Sequence, residues 1–151
     1  MNCACSRAAG KPRYFGPVSQ ENVDAVRQIF AVWREEGSPL PSGLLDSEIE
    51  WVNPPDAVER GTRQGIDAFS AAADSLDESF EDAWAEIDEI LDAGDRVIIL
   101  ATLRGRGRGS GLDIERRQGY IWTFRDGKAI RFEWFNSPDA ALIAAGVHCS
   151  R

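Results

Sequence analysis

Ile49-Glu50-Trp51-Val52-Asn53-Pro54-Pro55, followed by Gly61 and Gly65, is the stretch on which the fold turns. Side chains of an extended chain alternate between two faces, so Ile49, Trp51 and Asn53 point the same way. Two prolines then end the strand, because proline has no N–H to give to a sheet ladder. An aromatic ring and an amide aimed together, with an abrupt stop after them, read as the first wall of a small-molecule pocket.

Upstream of this wall, Val23, Val26, Phe30 and Trp33 fall three to four residues apart and predict one apolar face of a helix, with Ser19 or Asn22 as its cap. Gly37, Pro39 and Pro41 stop it, and a short helical stretch over 42–46 leads into the strand. Downstream, Gly65 opens a second helix in which Ile66, Phe69 and Ala73 face inward. Residues 81–92 fit two periods: Trp84, Ile87 and Leu91 suit a helix, whereas Ala85, Ile87, Glu89 and Leu91 alternate as a strand. The short turn Ala93-Gly94-Asp95 before Val97-Ile98-Ile99-Leu100 favours a strand over 83–91. Strands over 114–124 and 129–135 follow, joined by Arg125-Asp126-Gly127-Lys128, where Asp-Gly is a hairpin signal. Pro138 and Asp139 begin a helix over 140–145 that ends at Gly146.

The 151 residues and 43% apolar content suit one globular domain with a single core, expected over 19–147 between a flexible leader at 1–18 and a tail at 148–151. Twenty-five acidic against seventeen basic residues give a charge of −8, which disfavours nucleic acid or an anionic membrane as partner. No apolar run is long enough for a membrane span or a signal peptide, so a cytoplasmic protein is expected. Cys3, Cys5 and Cys149 sit near the chain ends and read as incidental thiols. With His148 they are also the candidate metal ligands, but their spacing is poor for zinc, and neither metal nor cofactor is expected. The run Leu103-Arg104-Gly105-Arg106-Gly107-Arg108-Gly109-Ser110-Gly111 invites comparison with arginine-glycine segments that bind single strands; in an acidic chain it reads instead as a long mobile hairpin loop.

The order of elements, together with Trp51-x-Asn53-Pro54, Gly61, Gly65, Asp126-Gly127-Lys128 and Glu133-Trp134-Phe135-Asn136 before Ala140-Ala141-Leu142, resembles the SnoaL-like branch of the nuclear transport factor 2 superfamily over about 20–147. The resemblance implies an α+β fold: a cone-like, bent antiparallel sheet wrapped around N-terminal helices, with an internal cavity. Relatives include ketosteroid isomerases, polyketide cyclases, limonene epoxide hydrolases, dehydratases and non-catalytic binding domains, and a fold does not choose among them.

Set beside the ketosteroid isomerases, their helix tyrosine falls at Phe30, their strand aspartate at Asn53 and their protonated aspartate near Tyr120. An amide is no general base and a phenyl ring stabilises no oxyanion, so isomerase chemistry is disfavoured. Set beside the limonene epoxide hydrolases, their pocket tyrosine and asparagine fall at Trp51 and Asn53 and a carboxylate at Glu133. Their arginine and second aspartate fall at Ala101 and Leu103, which breaks the water-activating arrangement.

Glu133 is the remaining candidate acid/base. Alternation groups Arg131, Glu133 and Phe135 on one face and Ile130, Phe132 and Trp134 on the other, without saying which faces the cavity. If Glu133 faces inward, desolvation would raise its pKa and suit it to cyclase or dehydratase chemistry; if outward, it pairs with Arg131 or Arg104. Phe30, Trp33, Trp51, Asn53, Tyr120 and Trp122 are the expected ligand-binding residues, an aromatic lining with one polar anchor. Two functions follow: a domain binding a hydrophobic small molecule, dimerising through an outer sheet face that carries Phe132 and Trp134, or an enzyme on a polyketide-like or carbonyl compound using Glu133. Whether the domain is catalytic stays open at this level.

Overall fold

The computed structural model describes residues 13–14, 20–36 and 43–147. The elements are β1 (Arg13–Tyr14), α1 (Gln20–Glu36), β2 (Leu45–Asn53), β3 (Gly61–Gln64), α2 (Ile66–Ser79), β4 (Phe80–Asp92), β5 (Arg96–Gly107), β6 (Asp113–Arg125), β7 (Lys128–Phe135) and α3 (Pro138–Ala145). Among the described residues the strands make one sheet in the order β1-β4-β5-β6-β7-β2-β3, with α1 and α2 on its inner face and α3 on its outer face. The α+β class and the bent sheet around the N-terminal helices are as expected. The sheet is mixed rather than purely antiparallel: β1 runs parallel to β4 and β2 parallel to β7. Register shifts in β4, between Glu81 and Trp84 and between Ile87 and Glu89, supply irregularities of the kind that bend a strand.

On α1, Val23, Val26, Ile29, Phe30 and Trp33 are buried, the stripe its periodicity predicts. Asn22 is no cap: it lies within the helix and donates from Nδ2 to the Gly94 carbonyl at 3.1 Å, tying α1 to the β4–β5 turn. Ser19, Gly37, Pro39, Pro41, Cys3, Cys5, His148 and Cys149 lie outside the described residues. The short helix expected over 42–46 is instead the turn at Gly43 and Leu44 and the start of β2, whose Leu45 pairs with Ala129. On α2, Phe69 and Ala73 are buried but Ile66 is exposed, so Ala72 takes its place on the inner face. Residues 80–92 form one strand, as the turn after them required.

The arginine-glycine run is not a long loop. Strands β5 and β6 continue to Gly107 and from Asp113, and each arginine meets an acid. Arg104 lies between Glu115 at 2.9 Å and Glu86 at 3.4 Å, Arg106 reaches Asp113 at 3.4 Å, and Arg108 reaches Glu81 at 3.7 Å. The hydrogen bond from Arg104 to Glu115 holds its guanidinium charged above the usual arginine range. Gly105 fits because a Cβ there would stand 3.2 Å from the Ala83 Cα, so close approach of backbones, not flexibility, accounts for it. The Asp126-Gly127 turn has φ of 52° and 78°, the two left-handed residues that a two-residue hairpin needs.

Two apolar layers result. The inner one joins α1 and α2 to Val97, Ile99, Tyr120, Trp122 and Phe132; the outer one joins α3 to Leu91, Ile98, Leu100 and Ile121. Ser137 caps α3 by accepting from Ala140 N at 3.1 Å, and Gly146 ends it at φ 72° with backbone bonds to Ile143 and Leu142. No described helix is long and apolar enough to cross a membrane.

Candidate functional site

The site is built where β2 runs beside β7. The parallel register pairs Trp51 with Phe132, and the antiparallel register of β6 with β7 pairs Trp122 with Phe132 and Tyr120 with Trp134. Paired residues share a face, so Trp51, Tyr120, Phe132 and Trp134 all turn inward. A cavity of about 580 Å³ opens there, between the sheet, α2 and the loop over 54–60. That volume suits a drug-sized molecule.

Of the residues expected to contact a ligand, Trp33, Trp51, Asn53 and Tyr120 line this cavity. Phe30 and Trp122 do not. They lie beneath it, Phe30 edge-on to Trp33 at 5.9 Å and to Tyr120 at 5.9 Å, and Trp122 against Phe132 at 4.5 Å. Trp122 is almost wholly buried and its Nε1 has no hydrogen-bond partner among the described residues. Both positions support the wall by packing, with T-shaped and tilted ring contacts of the kind aromatic quadrupoles favour.

Of the two placements open to it, Glu133 takes the outward one. It pairs with Ile121 across β6 and β7, on the outer face of the sheet, and its carboxylate lies 3.3 Å from Arg131, itself 3.9 Å from Glu50. It is not a cavity residue, so the base sought across the pocket is absent from that position. The same parity turns Phe132 and Trp134 inward, and the dimer surface expected to carry them loses its apolar anchors.

The chemistry of the cavity centres on Asn53. Its Oδ1 accepts from two indoles, Trp51 Nε1 at 2.8 Å and Trp134 Nε1 at 2.7 Å. Indole N–H groups only donate, so the amide orientation is fixed: the oxygen meets the indoles and the Nδ2 donor is left without a partner among the described residues. The two indole bonds also set the Trp51 and Trp134 rings at the wall. Tyr120, buried, donates its hydroxyl to Gln118 Oε1 at 2.7 Å, which leaves the Gln118 Nε2 as a second inward donor. Gln118, Arg116, Phe132 and Trp134 were missed by sequence reasoning as cavity residues. The alternation that groups Tyr120 with Trp122 extends back through Gln118 to Arg116, and it was the available signal. The carboxylates that reach the cavity, Asp56 and Glu59, belong to the exposed loop at its rim, where Glu59 pairs with Arg63.

Burial pushes the Tyr120 hydroxyl well above the ordinary phenol range, so at neutral pH it is a hydrogen-bonding group and no base. Its folded value is raised, so the unfolded chain loses its proton first. The stability this group contributes is complete below about pH 10 and declines above it by at most about 1.4 kcal/mol per pH unit. Urea melts at about pH 9 and about pH 11 should show a larger alkaline loss for the natural chain than for Tyr120→Phe; equal losses would assign the effect elsewhere.

Residues 26–132 match the SnoaL-like domain family. No curated protein sequence matches the chain. Similar solved structures include a nuclear transport factor 2-like protein of unknown function from Burkholderia pseudomallei, 21% identical at TM-score 0.69, covering 83% of this chain and 97% of that one. TerC, co-crystallised with polyporic acid, is 24% identical at TM-score 0.67, with 80% of this chain and 94% of that one covered. A nuclear transport factor 2-like protein from Burkholderia xenovorans is 26% identical at TM-score 0.65, with 85% and 98% covered.

Proposed function

The chain belongs to the SnoaL-like domain family, and from that membership and the chemistry of its cavity we propose that it binds a hydrophobic, ring-bearing small molecule with a hydrogen-bond-accepting oxygen at one end. The observation that carries the reading is Asn53, whose oxygen is taken up by two indole donors while its Nδ2 stays available. In this reading Trp33, Trp51, Phe132 and Trp134 grip the rings, and Asn53 and Gln118 donate to the oxygen. The preference for binding over isomerase-type catalysis rests on the absence of a carboxylate among the cavity residues contributed by β2, β6 and β7. The co-crystallisation of TerC with polyporic acid is consistent with ligand binding as one use of this fold.

Titration of the tryptophan fluorescence with 2-acetonaphthone, a neutral two-ring aryl ketone, and with 2-decalone tests the proposal. Saturable quenching by the aryl ketone is expected with Kd on the order of 10 µM, about tenfold tighter than for the alicyclic ketone. Absence of saturable binding by either would remove the reading. Glu133→Gln should bind the aryl ketone as the natural chain does, because the replaced carboxylate faces the other side of the sheet.

A further inference from the structure

We infer that the ligand is an anion, its charged oxygen group held by Arg116 at the rim while its rings lie between the tryptophans. This deepens the binding reading and rests on it. Arg116, Gln118 and Tyr120 follow one another at a spacing of two along β6, and all three line the cavity. They make one polar track running from the rim inward: a cation, an amide donor, then a hydroxyl already committed to that amide.

Among the described residues, nothing answers the charge of Arg116 with an ion pair. Arg104 and Arg106 on the facing strand, and Arg108 in the turn beyond it, each meet a carboxylate; Arg117, next along β6, forms no ion pair among the described residues but lies outside the cavity. Arg116 stands instead opposite Leu103, an apolar cavity residue, and forms no ion pair among the described residues. The chain carries a net charge of −8, so carboxylates are plentiful, yet none forms an ion pair with this arginine among the described residues. Of the other charged groups on the cavity, Arg63 is paired with Glu59, and Asp56 forms no ion pair with Arg116. A guanidinium left open beside a partly enclosed, aromatic-walled space is suited to a planar oxyanion, which it grips with two parallel N–H bonds. Asn53 and Gln118 each add an amide donor on the same side, which together with the guanidinium favours an acceptor-rich, negatively charged end. A carboxylate, an enolate or an acidic phenolate on a ring system shares this chemistry.

The test compares 2-naphthoate with its neutral isostere 2-naphthamide at neutral pH, on the natural chain, on Arg116→Gln and on Arg117→Gln. Arg117 is exposed and lies outside the cavity, so it controls for loss of surface charge. The natural chain should bind the carboxylate about tenfold tighter than the amide at about 50 mM salt, and the gap should narrow at about 300 mM. Arg116→Gln should bind the two about equally, because it loses more affinity for the carboxylate than for the amide; Arg117→Gln should keep the preference. Equal binding of both probes by the natural chain, or a preference that survives Arg116→Gln, overturns the inference while leaving the aromatic pocket standing. Failure of both naphthyl probes and of 2-acetonaphthone overturns the inference together with the pocket reading.

Discussion

Replacing Gly119 by alanine is expected to destabilise the protein by about 3 kcal/mol, at the upper end of what overpacking costs. A Cβ at this position would stand 2.3 Å from the Ala141 Cβ, with the Ser137 carbonyl oxygen and the Pro138 Cα at 3.4 and 3.5 Å. The obstacle is the first turn of α3, fixed by its Ser137 cap and by Pro138, and not the end of a flexible side chain that swings aside. Relief therefore requires α3 to lift off the outer face, away from Ile98, Leu100 and Ile121. Urea unfolding gives the loss directly. A second substitution sharpens the test: Ala141→Gly removes the nearest atom, so the double variant should regain more than half of the loss. That recovery should appear despite the roughly 1 kcal/mol that glycine costs within a helix. A Gly119→Ala protein as stable as the natural one would mean that α3 does not rest on β6 as described.

Asn53→Leu is expected to cost about 2 to 3 kcal/mol and to abolish aryl ketone binding. Leucine is close in size to asparagine but accepts no hydrogen bond, so the indoles of Trp51 and Trp134 lose their shared partner while half-buried. The rings they orient form much of the cavity wall, with Trp51 packed on Phe69 at 5.0 Å and on Phe132 at 4.8 Å. Asn53→Asp separates the two roles of the amide. Its oxygens still accept from both indoles, now as charge-assisted bonds, so folding should be retained within about 1 kcal/mol. Binding of 2-naphthoate should fall more than that of 2-naphthamide, because a donor has been exchanged for a negative charge inside the cavity. Equal stability of Asn53→Leu and the natural chain would show that the indole bonds contribute nothing to the fold.

These results bear on why an asparagine stands where the ketosteroid isomerases, which the chain resembles, carry an aspartate. Here the position is a junction: its oxygen accepts from two tryptophans, and the residue lines the cavity. The sequence placed Trp51 and Asn53 on one face, and the structure adds the third member, Trp134, from a strand more than eighty residues away. No local pattern links them.

Which face of β7 turns inward shows the same boundary. Its alternation was legible and separated Glu133 from Phe132 and Trp134, yet both sets contain an aromatic residue. Phe135 belongs with Glu133 because α3 and its apolar layer cover part of the outer face there, so hydrophobicity does not mark one side as the core. The choice is made by pairing, with Phe132 set between Trp51 of β2 and Trp122 of β6. The arginine-glycine run misled for a related reason. Its glycines resemble a loop in composition, but close approach to β4 and acids on neighbouring strands draw it into the sheet.

What the sequence determined by itself is what backbone geometry carries over a few residues: the parity that aims Trp51 with Asn53, the stripe on α1, the Asp126-Gly127 hairpin and the order of elements that marks the family. Only the tertiary structure decided the parallel junction of β2 with β7, the inward turn of Trp134, the outward turn of Glu133 and the lack of an ion pair for Arg116 among the described residues. Side-chain alternation is a local property with two equivalent answers. Which answer holds depends on register between strands far apart in the chain, and that is set by packing of the whole sheet.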